Sequence, residues 1–492
     1  MAKPEKADVI VVGGGSSAFE AAVSARQNGA ERVVMVEKAP ESEFGGNARY
    51  SHTGFRFAYD GIDDLRDLAP NTDPGLLDKC EVPAYTRERF MADLNRVTQG
   101  RIDPELARWM VDQSNDAVRW IASCGVEFEP EKRREIGGRF HFEPGIIVHT
   151  VGGGLGQLLN WRRIATDMGV EVRYDSRVIG FLGDTRQVTG VRIADPDRDY
   201  DLEAPSTIVC SGGFQANVEM RARYLGPNAD LLKVRGSKHN TGEVLRMLLD
   251  LGVKPAGHWQ GAHATPIDAN APDGGTPLRQ DGHSNTCNRY DYPMGITVNA
   301  LGERFYDEGE SNHSYTYAKT GRAVLAQPGG TAWQIYDATG ISLFRLGPDY
   351  TDAYEEADTI EELADKMSIA PAALRAEIDA FNAACRDDIP FDPSGLDGKC
   401  TEGLAVNKSN WANPIENPPF RAFQIAGGVT FSFGGVRIDT KARVLDVAEK
   451  PIKGLYASGD VVGLFFHNYP SCTGQTRNAV FSREAGKNAA AA

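Results

Sequence analysis

Asp8-Val-Ile-Val-Val-Gly-Gly-Gly-Ser-Ser-Ala-Phe-Glu-Ala-Ala22, followed by Val33-Val-Met-Val-Glu37, reads as strand, glycine turn, helix and a second strand ending in an acid. Those parts in that order form a βαβ unit that binds a dinucleotide. Gly13 allows the tight turn, Gly15 lets the backbone approach a pyrophosphate, and the small Ala18 lets helix and sheet pack closely. Ser16 and Ser17 open the helix, whose first N–H groups and partial positive charge face the phosphates. Glu37 lies about 20 residues beyond the glycines, where a carboxylate takes the ribose hydroxyls.

Downstream, Phe44-Gly-Gly-Asn-Ala-Arg-Tyr-Ser-His-Thr-Gly54 offers two glycines and an amide to a flat ligand. From Leu65 to Gly125 the pattern is mainly helical, with Pro104 near the start of an amphipathic run. A second glycine cluster, Val151-Gly-Gly-Gly-Leu-Gly156, lacks a preceding strand and a following acid, so it reads as the loop that opens a helix over Gln157 to Met168. Val170 to Tyr174, Val188 to Ile193 and Thr207 to Cys210 read as short strands. Near the C-terminus, Gly434 to Asp439 and Arg443 to Asp446 suggest a hairpin. Gly454-Leu-Tyr-Ala-Ser-Gly-Asp460 suggests a buried strand, and Gly474 to Ala490 a final helix. Trp259 to Pro419 is richer in Pro, Asn and charge, with a helical insert near Ile360 to Cys385. The nucleotide domain is therefore expected to be discontinuous and interrupted by a cap.

With 492 residues the chain can form two or three domains, and its net charge of −15 argues against nucleic acid or an anionic membrane as partner. No apolar run approaches the roughly 20 residues that cross a bilayer, so a cytoplasmic protein without membrane insertion is expected. The seven cysteines include no CxxC pair and are expected as free thiols, with no zinc or iron–sulfur centre.

Taken together, the N-terminal unit, Gly45-Gly46-Asn47, Ser211-Gly-Gly-Phe214, Gly302-Glu-Arg-Phe-Tyr-Asp-Glu308, Gly434-Gly435 and Leu455-Tyr-Ala-Ser-Gly-Asp460 resemble the fumarate reductase and succinate dehydrogenase flavoprotein superfamily. Asn240-Thr-Gly-Glu, Tyr315-Thr-Tyr-Ala-Lys319, Ala332-Trp-Gln-Ile-Tyr-Asp337 and His467-Asn-Tyr-Pro470 most resemble its tricarballylate dehydrogenase branch. The resemblance implies an α/β fold. A Rossmann-like FAD domain would be built from residues 1–259 and 416–492, with an α+β cap inserted over 260–415.

It also implies noncovalent FAD, because the position of the covalently bonding histidine falls at Asn47, even though Ser51-His52-Thr53 superficially matches that motif. Carried across, Gly13, Gly15, Ser16, Ser17 and Ala18 serve the pyrophosphate, and Glu37 and Lys38 the adenosine end. Gly45, Gly46, Asn47, Val178, Ser211, Gly212, Gly213, Gly459 and Asp460 complete the cradle. Gly474, Gln475 and Thr476 bring the last helix to the flavin O2 edge. There the helix N-terminus would stabilise the charge of reduced flavin.

The implied reaction interconverts a C–C single and double bond beside a carboxylate or carbonyl. Hydride passes at flavin N5 and a side chain moves a proton. His263, in Gln260-Gly-Ala-His-Ala-Thr-Pro266, occupies the place of the family's substrate-clamping histidine. The other three superfamily side chains are absent, their places falling at Asn312-His313, Thr430 and Ser471, so a fumarate specialist is not expected. The candidate catalytic residues are His313, His263, Tyr315, His467 and Tyr469, with Tyr317 beside Tyr315 as a possible assistant. The candidate substrate contacts are His263, Thr430, His467, Ser471 and Arg477, with Arg289 a weaker candidate anion binder.

The expected partners are a small-molecule acid or ketone and an electron donor or acceptor that the sequence does not identify. Three alternatives stay open: a ketosteroid-dehydrogenase-like desaturase, an NAD-dependent dehydrogenase, and a flavin module without chemistry of its own.

Overall fold

A computed structural model describes residues 5–131, 134–273, 275, 287–344, 353–393 and 395–492. Its central sheet has six strands in the order Arg443–Leu445, Pro451–Ala457, Ser206–Val209, Val9–Val12, Val33–Val36, Glu171–Arg173. All neighbours are parallel except the first pair. Ser206–Val209, Val9–Val12 and Val33–Val36 are buried throughout, which is why the last two read as unbroken apolar runs rather than alternating ones.

Both chain ends meet in this domain. Helix Ser16–Gln27 lies against the last helix, Thr473–Ala490, so closely that a Cβ at Gly486 would come 2.4 Å from the Ala21 carbonyl oxygen. Glu20 is fully buried in the first of these helices, and burial pushes its carboxyl up to about 8.

Helices Ile62–Leu68, Pro74–Leu77, Arg87–Thr98 and Pro104–Ser123 fill the expected helical stretch. Pro104 occupies the first helical position, and Asp103 caps the helix by accepting from the Leu106 N–H at 2.8 Å. The helix expected from Gln157 starts four residues earlier, as Gly153–Asp167. Its glycines are a packing device: a Cβ at Gly154 would lie 2.1 Å from the Ala48 carbonyl oxygen. The expected insert near Ile360 splits into Ile360–Lys366 and Pro371–Ala384, because Ser368 turns left-handed at φ 58° and Pro371 starts a new helix.

The second large sheet is organised on one long strand, Phe420–Ser432. It pairs with Lys233–Val234, Ala262–Asp268, Thr331–Tyr336 and Glu355–Ala357, and Thr331–Tyr336 carries Ile296–Val298. The long strand thus joins strands of the inserted segment to Lys233–Val234 before it, and the central sheet resumes at Arg443. Gly427 and Gly428 hid the strand from the sequence. They sit where Cβ atoms would meet the Gly321 carbonyl oxygen at 2.6 Å and the Ile267 side chain at 2.7 Å, so helix His313–Leu325 packs directly on backbone.

Among the described residues, the seven cysteines form no disulfide. Among the described residues, no helix is long and apolar enough to cross a membrane.

Candidate active site

A cleft of about 840 Å³ opens at the carboxyl ends of the central strands. Gly13, Gly15, Ser16, Ser17, Glu37, Lys38, Gly45, Gly46, Asn47, Val178, Ser211, Gly212 and Asp460 all line it. The glycines fit a dinucleotide in detail. Gly13 holds φ +123°, and a Cβ there would lie 2.4 Å from the Cys210 carbonyl oxygen; one at Gly14 would lie 2.7 Å from the Glu37 carboxylate. Gly15 meets only the Gly45 carbonyl oxygen, at 3.5 Å, which leaves its face open to a phosphate.

Glu37 is buried, accepts from the Ala39 N–H at 2.7 Å, and has its pKa raised by desolvation. A ribose diol would satisfy the rest of that carboxylate. Lys38 Nζ donates to Thr241 and Glu243, tying the adenosine end to the His239–Glu243 segment. That segment also lines the cleft, and the spacing of Asn240-Thr-Gly-Glu carries no signal that ties it to the cofactor.

The other cradle residues act from outside the cleft lining. Ala18 is buried in the first helix. Cβ atoms at Gly213 and Gly459 would come 2.6 Å from Ser432 Oγ and Ser17 Oγ respectively, so both glycines allow close approach. Gly474 faces open space. Gln475 Nε2 donates to Ser51 Oγ at 3.0 Å, and Thr476 Oγ1 donates to the Arg56 carbonyl at 2.6 Å, locking the last helix to the loop after Asn47.

A second constellation gathers around His263. Phe431 stacks on its ring at 5.2 Å, while Tyr317 and Tyr469 meet it edge-on at 4.9 and 5.2 Å. His263 is only 2 % exposed. Burial, reinforced by the nearby Arg235 charge, drives its pKa well below the usual value, so it is neutral at pH 7. The Tyr317 and Tyr469 hydroxyls are 2.9 Å apart, and Tyr317 donates to Ser471 Oγ at 3.4 Å. Burial raises both tyrosine pKa values, Tyr469 well above 10.

Tyr290 closes another side, 5.2 Å from Tyr317 and 5.9 Å from His313. His313 and Tyr317, four residues apart on one helix, share a face. Tyr315 points about 200° away from Tyr317. Its hydroxyl donates to Asp93 at 3.1 Å and accepts from Arg56, so the structure places it in a separate cluster and puts Tyr317 in its expected place.

Other candidates are redistributed as well. Arg477 is bonded to Asp460, and Arg289 is fully buried on Asp268 at 2.7 Å; both guanidiniums are held by their own carboxylates. His467 packs on His258 with ring centroids 5.0 Å apart, and its backbone N–H donates to His258 Nδ1 at 3.1 Å. Thr430 turns its hydroxyl to Arg235 Nη1, 2.9 Å away, and its carbonyl to the Asn47 amide. Phe431, the next residue, is the one that faces His263. Strand alternation explains the exchange: neighbouring residues face opposite sides.

A glycine-cradled dinucleotide cleft beside an aromatic, titratable cluster defines a flavin-dependent oxidoreductase of the Rossmann-like type. The profile of the FAD binding domain family matches residues 8–475, and the chain belongs to that family. It is 28 % identical over 500 residues to a probable fumarate reductase of Shewanella frigidimarina, covering 99 % of this chain and 75 % of that protein. In structure it is similar to the open conformation of a flavocytochrome c3 fumarate reductase, with TM-score 0.72 and 26 % identity over 100 % of this chain and 79 % of that one. The fold is shared with 3-ketosteroid Δ1-dehydrogenase from Sterolibacterium denitrificans, with TM-score 0.75 and 19 % identity over 99 % of this chain and 100 % of that one. The chain is thus an FAD-dependent enzyme of the reductase and dehydrogenase class that acts on C=C bonds.

Proposed function

We propose that the enzyme interconverts a C–C single and double bond activated by one carbonyl or carboxylate on an otherwise apolar molecule. The observation that carries this reading is the neutral, aromatic-walled His263 beside the Tyr317–Tyr469 pair. Neutral donors polarise a carbonyl oxygen without needing a full negative charge on it. With Arg477 and Arg289 committed to Asp460 and Asp268, Arg235, which lies over the Tyr290 ring and acts on His263, is the guanidinium of this site among the described residues, and one such charge suits one carboxylate better than three. The tricarballylate-like reading therefore narrows to a mono-acid or a ketone, and the ring-ketone reading gains from the tyrosine pair.

Bound FAD supplies hydride exchange with the substrate carbon. His263 donates to the carbonyl oxygen and orients it, while Tyr317 and Tyr469 move the proton at the neighbouring carbon. Their raised pKa values keep both hydroxyls protonated at neutral pH, so the pair starts as the acid, which suits saturation of the double bond. Asn47, at the covalent-histidine position, is a carboxamide held by Ser237 and Thr430 and supports noncovalent FAD.

Photoreduced holoenzyme mixed anaerobically with cinnamate, crotonate, cyclohexenone, fumarate and aconitate tests the reading by the return of oxidised flavin absorbance. Reoxidation at least ~10-fold faster with a mono-acid or enone is expected, since one unmatched charge in such a pocket costs that much or more. Fumarate or aconitate as the fastest oxidant would overturn it.

A further inference from the structure

Outside the cofactor cleft and the tyrosine cluster, three side chains far apart in sequence converge beside the last helix. His52 lies in the loop after Asn47, Glu131 follows strand Phe128–Pro130, and His149 is the middle residue of strand Val148–Thr150. Backbone pairing fixes all three positions. His149 is opposite Glu129 in the antiparallel ladder, Gly54 bridges to His149, and the Glu131 N–H donates to the Ile147 carbonyl at 2.9 Å.

One oxygen of Glu131 is 2.7 Å from His52 Nε2, and the other is 3.7 Å from His149 Nδ1. The potential ligand atoms all lie within 4.8 Å of one another. The second nitrogen of His149, Nε2, is 3.1 Å from Glu129 Oε1. With His149 Nε2 turned to Glu129, its Nδ1 faces a Glu131 oxygen across 3.7 Å, longer than a hydrogen bond. A cation held there would be bonded by both atoms. Tetrahedral zinc, with bonds of about 2.0–2.1 Å, sets neighbouring donors about 3.3 Å apart, which lies between the 2.7 Å contact and the 4.8 Å outer limit of this cluster and is reached by side-chain rotation.

We propose that His52, Glu131 and His149 form a divalent metal site suited to zinc, with Glu129 as the carboxylate that orients His149. A carboxylate behind a ligating imidazole is the usual outer support of such a site. The donor set, two imidazoles and a carboxylate, suits a borderline cation rather than magnesium. Glu131 and His149 have side chains only 8 % and 11 % exposed, whereas His52 is 33 % exposed, so ion and water enter from its side.

The role is structural. The loop that carries His52 also carries Ser51, which accepts from Gln475 in the last helix. A Cβ at Gly54 would lie 2.7 Å from Cys472 Sγ and 3.1 Å from Glu131 Oε2, so the site abuts the residue that opens that helix. The metal would fasten the start of the helix to the N-terminal half of the FAD domain.

Zinc titration of chelator-treated holoenzyme, followed by calorimetry and by elemental analysis after dialysis, tests the proposal. Wild type should take up one zinc per chain, magnesium should give no heat, and zinc should raise the thermal midpoint by about 2–4 °C. Glu131→Gln and His149→Ala should lose uptake, while Glu129→Gln should weaken it by roughly 10–100-fold. His52→Ala, at a partly exposed position, guards against a folding artefact; with its flavin spectrum intact it should still lose zinc. No saturable uptake by wild type would leave the cluster as a proton-bound histidine–glutamate network and overturn the proposal. So would uptake unchanged in both Glu131→Gln and His52→Ala.

Discussion

The cofactor cleft and the His263 cluster lie in one protein but are built on different principles. The cleft is mostly backbone: glycines at Gly13, Gly14 and Gly15 whose missing side chains make room, and strand ends whose positions follow from parallel pairing. The cluster is mostly side chain, with rings from five separate segments meeting at centroid distances near 5 Å. Backbone cradles tolerate little change and are shared across relatives of different activity, whereas side-chain clusters can be rebuilt without disturbing the fold.

The largest effect that separates the two regions is expected from Gly13→Ala. The new Cβ would strike the Cys210 carbonyl at a φ that L-residues avoid, so purified protein should be colourless and inactive. Yellow, fully loaded protein would break the contrast. Tyr317→Phe should act only on chemistry, leaving the flavin spectrum unchanged while slowing flavin oxidation by the preferred acceptor about 10²–10⁴-fold. Stopped-flow rates check this, and an unchanged rate would return the proton transfer to His313.

Glu20→Gln should reveal strain beneath the cleft. The folded carboxyl titrates at about 8, above its ordinary value of 4.5, so the folded state holds the proton more tightly. Its contribution to stability is complete below pH 4.5 and is lost as pH rises toward 8. The variant should therefore match wild type near pH 4.5 and be more stable by about 3 kcal/mol near pH 7, read from denaturant unfolding at both pH values. Tyr315→Phe should have the smallest effect on turnover, within about threefold, because its hydroxyl serves Asp93 and Arg56 outside the His263 cluster.

What the sequence made legible follows the same division. The glycine turn, Glu37 and the buried strands were readable because each is local: spacing along the chain is spacing in space. Tyr317 was subordinated to Tyr315 because the helix His313–Leu325 was not phased against its partner strand, and only that phase decides which tyrosine faces His263. Thr430 was named where Phe431 faces the site, a one-residue slip that inverts the side of a strand. Arg477 and Arg289 looked available until the fold supplied Asp460 and Asp268. His52, Glu131 and His149 carry no ligand spacing at all; β-pairing alone assembles them.

The end of strand Phe420–Ser432 has a consequence for how new specificities can arise. Thr430 accepts from the Asn47 amide with its backbone carbonyl and from Arg235 with its side-chain hydroxyl. A substitution at 430 keeps the carbonyl and removes only the hydroxyl, so the pocket wall beside Arg235 can be retuned there while the grip on the cofactor loop stays in the main chain.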